Sequence, residues 1–265
     1  MAHTWTDADR DRWGRPLVIP PGGGKAVGYT RATTVAKTLD DGTALKKWAM
    51  RGVAVGVAER RDLRAEIGNN RDDNKALDRI CEEALNAAGG KERRELGSQF
   101  HQWSEAHDAG EQPWGIDADG QRDLDAYANA TADLTHIHIE QAVVQDDLRI
   151  GGTPDRITEW PAKGWRGIAD VKTGGRDTSS FMAYSALSIG IQLATYAHSV
   201  GYDVATGERF DLGDLDTRNG LVIHLVPGTA HVNLVWVDLE AGWEAAQHAV
   251  NVREWRKRRD LWVQA

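Results

Sequence analysis

One cysteine in 265 residues, Cys81, is too few for an internal disulfide or a four-thiolate cluster, and it fits a reducing compartment. Long apolar runs are missing as well: no stretch approaches the length of a membrane span. Met1-Ala2-His3-Thr4-Trp5 does not open a secretory signal, so a cytoplasmic protein without membrane contact is expected. Gly24-Lys25 lacks the Walker spacing and the Ser/Thr that follows it. It reads as a turn, and a nucleotide-driven motor in the same chain is excluded. Positive charge is in short supply, with 32 Lys and Arg against 40 Asp and Glu, a net charge of −8. That balance argues against a protein that coats nucleic acid non-specifically, although contact through a local patch depends on position rather than on the sum. Basic residues do cluster, at Lys46-Lys47 with Arg51, Arg60-Arg61 with Arg64, Lys91 to Arg94, and Arg253 to Arg259. Taken singly, each cluster reads as a solvated helix face.

What is present suffices for one sizeable core and a smaller lobe, since 41% of the residues are hydrophobic. Eleven tryptophans are unusual for the length. Most, such as Trp48 and Trp243, read as packing residues, with one or two left to stack on unpaired bases. Residues 1–28, with Pro16, Pro20, Pro21 and Gly22-Gly23-Gly24, read as an irregular arm. Helical spacing dominates from about 30 to 134. The stripe Leu77, Ile80, Cys81, Ala84, Leu85 and Ala88 predicts that Cys81 is a buried structural thiol. Strands begin near His136. A hairpin is predicted over 155–160 and 165–172, a helix near 181–200, a second hairpin over 221–226 and 231–239, and a last helix over about 242–262. Helices, strands, a crossover helix and further strands make a mixed α/β domain with an attached helical lobe.

The first hairpin carries the chemistry. Asp155 follows Gly151-Gly152-Thr153-Pro154, and Asp170-Val171-Lys172 lies on the return strand. Alternation puts Asp170 and Lys172 on one face and Val171 on the other. Asp155 also reads as a turn residue after Pro154, Asp170 as a strand-edge charge, and Lys172 as their salt-bridge partner. Yet aspartate inside Ile168-Ala169-Asp170-Val171 is disfavoured by strand propensity, and a buried carboxylate is expensive unless paired or metal-bound. Two hard oxygen donors suit Mg2+ or Mn2+, and a lysine beside them can position an attacking water, an arrangement suited to hydrolysing a phosphodiester. Alternation likewise gathers His136, His138 and Glu140 on one strand face. Zinc is discounted there for want of a fourth ligand at zinc spacing.

Pro154-Asp155 with Asp170-Val171-Lys172 resembles the signature of the PD-(D/E)XK nuclease superfamily. Gly97-Ser98-Gln99-Phe100-His101 upstream, and Gln192-Leu193-Ala194-Thr195-Tyr196 downstream, resemble motifs of its RecB-like exonuclease branch, of phage or bacterial type, in that branch's order. The resemblance implies His101, Asp155, Asp170, the Val171 carbonyl and Glu140 as metal ligands, and Asp155, Asp170, Lys172, Gln192 and Tyr196 as the catalytic set. Tyr196 would also contact a DNA phosphate. Glu105, one helical turn after His101, would orient the imidazole. Without the resemblance, His101 reads as a core residue beside Phe100 and Trp103, and Gln192 with Tyr196 as incidental polar residues of an amphipathic helix. An iron–sulfur cluster, carried by some relatives, is excluded by the single cysteine.

The fold expected on this basis is a restriction-endonuclease-like PD-(D/E)XK core, a mixed central sheet flanked by helices. The divisions are an arm over 1–28, a helical lobe over 29–95 that shapes a passage for one strand, and the nuclease core over 96–265. The expected activity is a Mg2+- or Mn2+-dependent DNA exonuclease of recombination, repair or phage DNA processing, in a bacterial or phage-infected cytosol. It would act on single strands or duplex ends, with a separate helicase or recombinase as partner. A structure-specific or restriction-type endonuclease and a non-catalytic DNA-binding protein are the alternatives. Arg93 and Arg94 are expected to bind DNA, because cations at a helix N-terminus oppose its dipole unless an anion is bound there.

Overall fold

The computed structural model describes the backbone of residues 4–264 and every side chain in that span except those of 92–94. Three short strands, β1 (Leu17–Val18), β2 (Val27–Gly28) and β3 (Thr30–Arg31), lead into α1 (Ala32–Ala36). Helices α2 (Thr43–Glu59), α3 (Arg61–Asn69), α4 (Asn74–Leu85) and α5 (Lys91–Asp108) follow, the last two joined through a π turn over Asn86–Gly90. Then come α6 (Ala118–Thr131), β4 (Thr135–Ile139), β5 (Val143–Gln145), β6 (Ile150–Gly152), β7 (Arg156–Trp160) and β8 (Trp165–Thr173). The chain ends with α7 (Thr178–Ala197), β9 (Val200–Tyr202), β10 (Arg209–Phe210), β11 (Asn219–Val226), β12 (His231–Asp238) and α8 (Leu239–Lys257).

Two compact units result, Met1–Asp40 with Trp103–Ala265, and Asp41–Gln102. The division falls inside α5, which is one continuous helix. The smaller unit is helical and closes over Leu63, Ile80 and Ala84, with Val53, Val57 and Ile67 packed against them. Cys81 is exposed, which corrects the expectation of a buried thiol. Ile80 and Ala84 set the centre of the α4 stripe, and the next residue after Ile80 is turned about 100° away from it.

The larger unit is a mixed α/β fold with two five-stranded sheets, ordered β12-β11-β8-β7-β4 and β10-β9-β5-β6-β3. In the first, β7 runs antiparallel to β8, and β11 runs parallel to β8. A parallel neighbour requires a crossover, and α7 is the helix that the connection carries. Asp177 starts α7 by accepting the Ser180 N–H at 2.8 Å, which satisfies one of the helix's unpaired amides. Its C-terminal half is buried on all sides, and Ile189, Ile191, Leu193 and Ala194 join Ile157, Ile168 and Val222 of the sheet and Ala246 of α8 in the main core. Where α7 meets α8, a Cβ on Gly242 would overlap the Gly190 carbonyl, so only glycine permits this approach. Among the described residues, no helix is long and apolar enough to cross a membrane.

Candidate metal centre

The β7–β8 pairing brings the two aspartates together. Arg156 lies opposite Ala169 and Ile157 opposite Ile168, which sets Asp155 at the start of β7 beside Asp170. Asp155 Oδ2 accepts the Val171 N–H at 2.8 Å, so the main chain of β8 orients this carboxylate. Asp170 is fully buried and Asp155 is 8% exposed. Lys172 Nζ forms an ion pair with Asp170. Burial disfavours the ammonium, but the charges of Asp170, Asp155 and Glu140 outweigh it, and the lysine pKa is raised above its ordinary value. Lys172 is therefore a cation at neutral pH, a donor rather than a base.

A second group of ligand atoms comes from α5 and the end of β4. His101, Glu105 and Glu140 each offer a donor atom, all within 4.8 Å of one another. His101 and Glu105 are i and i+4 on one continuous helix and share a face. Glu140 follows β4 at φ 51°, a left-handed conformation that a residue with a side chain seldom adopts. Its N–H donates to the Asp155 carbonyl at 3.1 Å, which couples this backbone twist to the first aspartate. Strain of this kind persists where the surrounding structure fixes it, and it collects at functional sites. Two carboxylates and an imidazole at such separations fit a single divalent ion, whose ligand distances run to about 2.0–2.6 Å. The sequence suggests Glu105 as an orienting partner of His101; in the structure its carboxylate stands among the ligand atoms themselves.

Gln192 and Tyr196 complete the setting from α7, with Gln192 Nε2 donating to Tyr196 Oη at 3.3 Å. Burial, and then the charges of Asp170, Asp155 and Glu140, raise the phenol's pKa beyond its usual value against the lowering effect of the Gln192 bond. Lys172 and Tyr196 thus feel the same three carboxylates from different elements, the strand and the crossover helix. Gly152 makes room for the tyrosine: a Cβ there would meet Tyr196 Cε1 at 2.6 Å. Val171 is buried at 5% exposure on β8.

Other expectations fare differently. His136 pairs in register with Thr158, whereas His138 pairs with Ile157, because a β-bulge shifts the register between them. His136 and His138 therefore do not share a face, and the predicted alternation through Glu140 is corrected by the extra residue, Ile137. The side chains of Arg93 and Arg94 lie outside the described residues.

Sequence reasoning missed a buried network on the far side of β7. Arg156 Nε donates to Asp108 Oδ2 at 2.7 Å, and its Nη1 donates to the Asp155 carbonyl at 2.8 Å. Tyr127 Oη donates to Asp108 Oδ2 at 2.6 Å, and His136 Nδ1 lies 2.8 Å from Thr158 Oγ1. Burial lowers the His136 pKa despite the nearby Asp108, so the imidazole is neutral. The one available signal was periodicity, since Asp108 stands at i+7 from His101 on the same helix face. His224 was missed too. It is buried on β11 with Nε2 3.0 Å from the Gly174 carbonyl and Nδ1 2.8 Å from Thr178 Oγ1, tying the end of β8 to the start of α7.

The family model of the PD-(D/E)XK nuclease superfamily matches residues 56–250 of the chain. No curated protein matches the chain. The matched span contains β7, β8 and α7 with the acidic cluster they carry, and it covers most of the chain.

Proposed function

Because the chain belongs to the PD-(D/E)XK nuclease superfamily, we propose that it is a metal-dependent deoxyribonuclease of the RecB-like branch, an exonuclease of bacterial or phage DNA processing. The observation that carries this reading is the convergence of His101, Glu105 and Glu140 donor atoms within 4.8 Å, beside a Lys172 and a Tyr196 that both sense Asp155, Asp170 and Glu140. Carboxylates with one imidazole suit Mg2+ or Mn2+, and the imidazole favours Mn2+. A divalent ion there would be held by His101, Glu105 and Glu140, with Asp155, Asp170 and the Val171 carbonyl as the further ligands proposed from the family motif, and it would supply Lewis acidity and a more acidic water.

The chain's own residues do the rest. Lys172, kept as an ammonium by its acidic neighbours, donates to the attacking water and to the charge that develops on the scissile phosphate. The Val171 amide holds Asp155 in a fixed orientation, so little reorganisation is needed as the water approaches phosphorus in line. Tyr196, neutral and bonded to Gln192, bounds the cluster on the α7 side. A separate helicase or recombinase would supply the DNA end.

The test is cleavage of end-labelled single- and double-stranded DNA with Mg2+, Mn2+ or chelator, with closed circular DNA alongside. Asp170→Ala and Lys172→Ala should each lower the rate by on the order of 10^2 to 10^3 with an unchanged circular dichroism spectrum. Closed circles should survive. Cleavage in chelator, or near wild-type rates from either variant, would remove this site from the reaction; cut circles would make the enzyme an endonuclease.

A further inference from the structure

Stability alone explains the Asp108–Arg156 pair poorly. The Arg156 side chain is 0% exposed and that of Asp108 3%. Arg156 Nη2 is buried with no hydrogen-bond partner among the described residues. Desolvating two charges cancels most of what their attraction returns, and an apolar pair of similar volume often does as well. The geometry supplies another reason. His101, Glu105 and Asp108 follow i, i+4, i+7 spacing along α5, so the face that offers two ligand atoms also offers the carboxylate that Arg156 grips. The other arm of the same guanidinium grips the Asp155 carbonyl, and that carbonyl also accepts the Glu140 N–H. One rigid, planar group thereby links the helix that carries Glu105 to the carbonyl of Asp155, just ahead of β7, where the Glu140 N–H is also bound.

We propose that Arg156, anchored by Asp108, is a positioning residue for the metal cluster, setting the spacing between the α5 carboxylate and Asp155. This rests on reading the cluster as a metal site. Lysine cannot do the same work, because a point donor does not hold two acceptors in one fixed plane. Tyr127 donates to Asp108 and also interacts with the Arg156 guanidinium, but its removal leaves that guanidinium's grips on Asp108 and on the Asp155 carbonyl in place, so it contributes to the network's stability and not to the spacing.

The experiment measures Mn2+ binding to the full-length protein by loss of the free-ion paramagnetic resonance signal, with thermal melting in chelator beside it. Arg156→Lys should raise the Mn2+ dissociation constant by about tenfold or more, with cleavage recovering in excess Mn2+. Tyr127→Phe should lower the melting temperature and leave Mn2+ binding unchanged. If Arg156→Lys does not fold, the double variant Asp108→Asn with Arg156→Met removes both charges at once and should show the same weakened binding. Wild-type Mn2+ affinity in whichever Arg156 variant folds, or an equal loss in Tyr127→Phe, would overturn the positioning role. A wild-type protein that binds no Mn2+ would bring down the metal reading and this one with it.

Discussion

Asp155 and Arg156 are neighbours in sequence and belong to opposite kinds of buried polar cluster. Around Asp155, Asp170 and Glu140 gather with Lys172 as the lysine paired among them, and Glu140 in turn meets Glu105 and His101. Around Arg156, one carboxylate meets one guanidinium, and the remaining partners, Tyr127 and a neutral His136, carry no charge. The first cluster has an excess of one sign, which burial makes costly unless a cation joins it. The second is balanced within the chain. An unbalanced group of charges calls for something from outside, whereas a balanced one can only hold other groups in place.

Stability should separate the two most sharply. Asp108→Asn leaves the Arg156 charge buried without its counter-ion and should cost about 3–5 kcal/mol. Asp170→Asn removes one of several like charges and should leave the metal-free protein as stable as the wild type or more so. Urea unfolding in chelator measures both, and a larger loss from Asp170→Asn than from Asp108→Asn would reverse the comparison. A second contrast lies in metal preference. His101→Ala should depress Mn2+-supported cleavage about tenfold or more, and Mg2+-supported cleavage less, since imidazole favours the former ion. Equal losses would make His101 a packing residue.

The smallest effect concerns pH. Burial depresses the pKa of His136, His138 and His224 below 6.5, against the favourable charges near His136 and His224. The native state then binds fewer protons than the unfolded chain in mildly acidic solution. Their contribution to stability is complete above 6.5 and is lost as pH falls below it. Melting temperatures should drop between pH 7.5 and 5.5, less steeply for His224→Gln. An identical slope in that variant would take His224 out of the account.

Much of this architecture is legible in the sequence. Apolar runs between Pro and Gly turns place hairpins at 155–160 with 165–172, and at 221–226 with 231–239. They form at Arg156–Trp160 with Trp165–Thr173, and at Asn219–Val226 with His231–Asp238. The crossover helix begins at Thr178, earlier than the apolar pattern suggests, because Asp177 caps it. The last helix ends at Lys257, where the backbone of Arg258 turns extended, short of the 262 that the pattern allows. The acidic residues of the cluster can be named from their motifs. Which atoms converge cannot, because Glu105 meets Glu140 and Arg156 meets Asp108 across 35 and 48 residues of chain, and no local rule encodes such pairings.

The bulge in β4 has a consequence for how this chain tolerates change in length. Ile137 is 38% exposed, the kind of position where substitution is usually free. Yet it is the residue that offsets the strand's two-fold repeat just ahead of Glu140. Replacing Ile137 would alter little, and even its deletion would only make His136 and His138 consecutive, each keeping its present partner, Thr158 and Ile157, and its present side of the sheet. The position is thus permissive for counting as well as for spelling: a one-codon deletion there removes the bulge and leaves the pairing that leads to Glu140 as it is.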